Sequence, residues 1–157
     1  MSFTLKIEPE WNIIKKIKEF INSEPRILAQ GEDYREATLL TAIELVENGL
    51  KYSEGEPPQS VTFQFEIIDD VVTIEVHNST TNPEHKAALA ETLDKIKASN
   101  PFDLYVERLE RIRDNPDGHS RMGLVRIAYE GEFELECVPS DSDIIQIKAR
   151  RPLAASE

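Results

Sequence analysis

Two runs of strict alternation, residues 61–68 and 71–78, are separated only by Asp69-Asp70, and they constrain this chain more than any other feature. A period of two marks half-buried strands, and a two-residue connection leaves only a tight hairpin to join them. Parity then assigns every side chain. Phe63, Phe65 and Ile67 share a face with Val72, Ile74 and Val76, while Thr62, Gln64 and Glu66 share the other with Thr73, Glu75 and His77. The first face belongs to a core and the second largely to water. Strands with one clean apolar face do not suit a doubly wound parallel sheet, whose strands are apolar on both sides.

The rest of the chain repeats this logic. Residues 2–8 alternate, with Phe3, Leu5 and Ile7 on one face, and read as a first strand. Trp11, Ile14, Ile17 and Ile21 recur every three or four residues, the mark of an amphipathic helix over 10–22 that stops near Pro25. A second helix is expected from Asp33, as N-cap, to Tyr52, followed by a loop over 53–59. Between 79 and 117 two helical stripes follow: Leu89, Leu93 and Ile96, then the stronger set Phe102, Tyr105, Val106, Leu109 and Ile112, with Asn100-Pro101 between them. The second stripe and Met122 are read as core rather than as cofactor contacts. A short helix over 121–129 leads to a second hairpin, with Phe133, Leu135 and Cys137 inward, a loop over 139–143, then Ile145, Ile147 and Ala149. Strands in adjacent pairs with helices between them imply an α+β fold, a two-layer sandwich in which a mixed, mostly antiparallel sheet carries its helices on one face.

Length and charge narrow the function classes. At 157 residues the chain suits one domain, expected over 1–152 with a disordered tail at 153–157. Its 18 basic and 30 acidic residues give a net charge of −12, which argues against nucleic acid or an anionic membrane as partner. No stretch approaches the ~18 apolar residues of a membrane span. With no signal-peptide pattern at the start and a single cysteine, Cys137, the expected location is the cytoplasm. His77, His85 and His119 have no metal-ligand spacing.

Chemistry could reside in three places. On the second helix, Glu44, Asn48 and Lys51 fall within a narrow arc at about 100° per residue, with Leu39, Ile43, Val46 and Leu50 roughly opposite. An acid, an amide and an amine on one stripe could serve a nucleotide phosphate tail through its Mg²⁺, or could be a solvated face of mixed charge. Asn78 continues the inward parity of Val72, Ile74 and Val76, so its amide either recognises a base or caps the following turn. Gly118 and Gly123 flank Arg121 where a helix begins, and free N–H groups there favour phosphate; Gly123 could equally serve close helix packing.

In this order the three sites resemble the GHKL, or histidine-kinase-like, ATP-binding fold, especially its one-domain anti-sigma-factor serine kinases. Glu44-Leu45-Val46-Glu47-Asn48-Gly49-Leu50-Lys51-Tyr52 resembles the family's N-box; Asn78 sits where its adenine-reading Asp follows a strand; Gly118 to Ile127 sits at its glycine-rich box. The sequence departs from the family at Asn78, which replaces that Asp, and at Thr80, which replaces a glycine. The resemblance implies ATP and Mg²⁺ as cofactors, with Glu44 as catalytic base and Asn48 holding the metal. Lys51, Asn78, Gly118, Arg121 and Gly123 would bind the nucleotide. It also implies a small STAS-like switch protein as partner, a possible homodimer, and phosphorylation of a Ser or Thr on that partner. The alternative is a non-catalytic interaction module of the same fold with a degenerate pocket.

Overall fold

The computed structural model describes residues 2–7, 12–52, 61–79, 83–114, 122–137 and 144–153. Its elements are β1 (Ser2–Ile7), α1 (Asn12–Ser23), α2 (Pro25–Leu28), α3 (Glu32–Tyr52), β2 (Val61–Ile68), β3 (Val71–Ser79), α4 (Pro83–Ala98), α5 (Pro101–Asp114), α6 (Met122–Tyr129), β4 (Glu134–Cys137) and β5 (Ile144–Pro152). The fold is α+β, a two-layer sandwich. Among the described residues five strands lie in the order β1-β2-β3-β5-β4, with every pairing antiparallel.

The hairpin forms in the expected register, Phe63 opposite Val76, Phe65 opposite Ile74 and Ile67 opposite Val72. Asp69 and Asp70 both take positive φ, 52° and 61°, the conformation that lets a two-residue turn follow the strands' right-handed twist. Asp tolerates that region better than most residues because its short side chain bonds locally. Asp70 also anchors the turn, accepting from Arg26 of α2 at 2.6 Å and, through its carbonyl, from Leu153 N at 2.7 Å.

Val61, Phe63, Phe65, Val72, Ile74, Val76, Ile145, Ile147 and Ala149 form the buried sheet face, covered by Ile17 and Ile21 of α1, Leu45 and Val46 of α3, and Leu124 and Ile127 of α6. The opposite face is half-buried by its own polar ladder, in which Glu75 takes Lys148 at 3.1 Å and Gln146 at 3.4 Å. Local signals set the helix ends. Glu24 caps α2, its carboxylate accepting from Arg26 N at 3.2 Å ahead of Pro25 at the first helical position. Asn100 does the same for α5, its Oδ1 accepting from Phe102 N at 2.9 Å and Asp103 N at 3.3 Å.

Two packing expectations are corrected. On α3, the face toward the sheet is Tyr34, Thr38, Thr41, Ala42, Leu45, Val46 and Gly49, whereas Leu39 and Ile43 are only half-buried. The Glu44 arc therefore lies beside the core face, about 100° from Leu45, and not opposite it. On α5 the core-facing residues are Leu104 and Arg108, while Phe102, Val106 and Leu109 of the apolar stripe face solvent at 53%, 37% and 46% exposure. The reason is that α5 rests on α6 rather than on the sheet. No helix among the described residues is long and apolar enough to cross a membrane. Of the expected tail at 153–157, Leu153 is half-buried against the core, and 154–157 lie outside the described residues.

Candidate functional site

Three segments distant in sequence meet on α3. The first contact is between α3 and α6. Gly123 brings its backbone so close to Glu44 that an added Cβ would overlap the carboxylate oxygen Oε2. The other oxygen, Oε1, accepts from Arg126 Nη1 at 3.0 Å, and Arg126 is itself held by Glu130 at 2.9 Å through its Nε. The glycine and the arginine are one helical turn apart on α6, so the carboxylate is clasped between them.

This carboxylate is 17% exposed. Burial pushes its pKa above the ordinary carboxylate range, the Arg126 guanidinium pulls it down, and Glu47 and Glu130 push it up again. The net shift is upward. A carboxyl that is partly desolvated, paired and still accessible is a group that holds its proton to higher pH than an ordinary surface acid.

The second contact is between α3 and β3. Gly49 lies against the sheet, where an added Cβ would stand 3.0 Å from Val76 Cγ1, 3.2 Å from Val61 Cγ1 and 3.7 Å from Asn78 Oδ1. A glycine inside a helix costs about 1 kcal/mol relative to alanine, and here that loss allows the helix backbone to approach the strand. Asn78 points inward as the parity predicts and is 3% exposed. Its Nδ2 is buried without a hydrogen-bond partner among the described residues. Asn48, one position before Gly49, is half-buried on the same end of α3.

The structure therefore brings Glu44 together with Gly123, and places Asn48 next to Gly49, whose added Cβ would lie 3.7 Å from Asn78 Oδ1. Lys51 belongs to α3, with its side chain outside the described part; Gly118 and Arg121 also lie outside it, as does any turn capped by Asn78 beyond Ser79. An open groove of about 390 Å³ runs along the N-terminal half of α3, lined by Asp33, Glu36, Ala37, Leu40, Arg126 and Glu130. It adjoins the Glu44 end of the site.

Sequence reasoning missed Arg126 and Gly49. Arg126 pairs with a residue 82 positions away, which no local pattern reports. Gly49 did carry a signal, since an isolated glycine in a long helical run often marks a close approach. Cys137 is half-buried, with burial pushing its thiol pKa up, so it has none of the character of a reactive thiolate. Among the described residues no cluster of His, Cys, Asp and Glu could hold a metal ion.

No protein-family model matches the chain, and no curated protein matches it. Among solved structures, the fold is similar to that of a chain in the crystal structure of the SiaB-SiaC complex from Pseudomonas aeruginosa. The TM-score is 0.73 over 95% of this chain and 88% of that one, at 14% sequence identity. At that identity the likeness is one of fold.

Proposed function

We propose that this protein is a nucleotide-dependent regulator that acts on a small partner protein, with Mg-ATP held against α3 and its γ-phosphoryl group passed to a partner Ser or Thr. The observation that carries the reading is the approach of the segments read as adenine box and glycine box to the helix read as N-box: Gly123 lies against Glu44, and a Cβ added at Gly49 would come within 3.7 Å of Asn78 Oδ1. The unpartnered Nδ2 of Asn78 supports a ligand at that end, because a buried amide without a partner costs roughly 1–3 kcal/mol that a bound base could recover.

In this reading Asn78 would meet the base, Asn48 would hold Mg²⁺ through its amide oxygen, and Lys51, Gly118, Arg121 and Gly123 would bind the phosphates. The metal would neutralise phosphate charge. Glu44 would orient the partner's hydroxyl and accept its proton as the new O–P bond forms and ADP departs. For that, Arg126 must release the carboxylate it holds. The solved structure of similar fold contains SiaB together with SiaC, which supports a role carried out with a protein partner; a STAS-like switch protein is the class the resemblance implies.

Calorimetric titration of Mg-ATP tests this directly. Wild type is expected to bind in the micromolar-to-millimolar range and Asn48→Ala to lose that binding. A wild-type protein that gives no saturable heat would overturn the nucleotide reading.

One observation favours a second reading, a non-catalytic interaction module. The Glu44–Arg126 pair occupies the very carboxylate that catalysis needs. That reading expects Glu44→Ala to leave partner binding and signalling intact, and loss of phosphotransfer in a stable Glu44→Gln protein counts against it.

A further inference from the structure

α5 presents three residues of its apolar stripe to solvent. Phe102, Val106 and Leu109 are spaced i, i+4 and i+7, the spacing that puts three side chains in one row about 10 Å long. One flank of that row is built in. Tyr105 stacks on Tyr129 of α6 at 4.8 Å between ring centroids, and Phe102 lies 5.6 Å from the same ring. The row therefore stands on a rigid aromatic base and keeps its position without a partner.

The other flank is acidic. Asp103 and Glu110 lie about 100° and 80° around the helix from Phe102, with Glu107 beyond them, and all three are exposed. Arg113 continues the row at its C-terminal end and is the one exposed base among the described α5 side chains. An apolar row with carboxylates along one side discriminates between occupants. An anionic lipid surface or a polyphosphate would be repelled. A second copy of α5 laid antiparallel across the row would set the same acidic flank against itself, with like charges in register.

We infer that this face of α5 docks a separate protein whose contact surface is an apolar patch bordered on one side by lysine or arginine. The inference deepens the partner half of the function proposed above and is independent of its nucleotide half. Apolar contact supplies affinity, and the acidic flank sets orientation and excludes acidic competitors.

Three synthetic helical peptides with an identical leucine row test it, one flanked by Lys, one by Gln and one by Glu, each titrated against the full chain by fluorescence anisotropy. Wild type should bind in the order Lys, Gln, Glu, with about a tenfold span that narrows at high salt. Leu109→Ser should weaken all three, and Asp103→Lys with Glu110→Lys should reverse the order. Circular dichroism and melting curves keep the variants comparable, and both sets of changes are at exposed positions. Equal affinity for the three peptides, no binding, or binding untouched by the variants overturns the inference. So does a wild-type dimer in sedimentation that Leu109→Ser disperses, which would give the face to a second copy. Mg-ATP titration of the same wild-type sample separates the two proposals: peptide binding without nucleotide binding removes the kinase reading and leaves this one standing.

Discussion

Within α3, Glu44 and Gly49 lie five residues apart and handle buried polarity in opposite ways. At Glu44 the helix meets α6, and the carboxylate that burial would penalise finds Arg126 at 3.0 Å. At Gly49 the helix meets β3 so tightly that no side chain intervenes, and the neighbouring Asn78 amide keeps one nitrogen without a partner among the described residues. The first contact is electrically satisfied by the fold itself. The second keeps hydrogen-bonding capacity unspent. A ligand gains most where the protein has left a group unpaired, so under the function proposed above the Asn78 end would be the recognition end and the Glu44 end the one that would have to open for chemistry.

The largest expected effect breaks the tight end. Gly49→Leu forces a side chain against Val76 and Val61, both on rigid strands, and should lower unfolding free energy by about 2–3 kcal/mol in urea melts. Little change would mean that α3 does not press on the sheet. Next, Asn78→Leu should stabilise the protein by about 1 kcal/mol in the same melts while abolishing any nucleotide heat, because it removes an unsatisfied amide of similar volume. A destabilised variant would show that the amide already has its partner, and the contrast between the two ends would disappear.

At the paired end, Arg126→Ala should cost about 1 kcal/mol, a modest figure because the guanidinium is 39% exposed and screened. It should also raise the Glu44 carboxyl further, measurable by NMR titration, since the positive charge of the arginine pulls it down. The smallest effect is in pH. Burial lifts the Glu44 carboxyl above its ordinary value of 4.5, so the fold disfavours its ionised form. Its contribution is fully present below that ordinary value and is lost as pH rises through the raised one. Melting temperatures of wild type and Glu44→Gln should therefore shift in favour of the variant as pH rises from below 4.5 through the raised value. A difference that is flat with pH would place Glu44 in ordinary solvent.

Amphipathy itself was a guide on the strands and a poor one on the helices. The alternation in β2 and β3 placed Phe63, Phe65, Ile74 and Val76 correctly because a strand has only two faces and one hairpin turn sets both. The stripe on α5 was as regular, yet Phe102, Val106 and Leu109 face out, since a helix seated on another helix can bury either of several arcs. On α3 the buried arc runs through Thr38, Thr41, Ala42 and Gly49, small residues with little hydrophobic signal, chosen for close approach rather than for apolar area.

What the amino-acid order determined by itself was local: the strand faces, the Asp69-Asp70 turn, the caps at Glu24 and Asn100, and the inward aim of Asn78. Each depends on a repeat or a backbone preference within a few residues. Only the tertiary structure decided that Arg126 would hold Glu44, that Gly123 would lie over the same carboxylate, and that the α5 row would be left uncovered. Those outcomes depend on which helix packs on which. Long-range packing is settled by the shape and charge of whole surfaces, to which no short window of sequence has access.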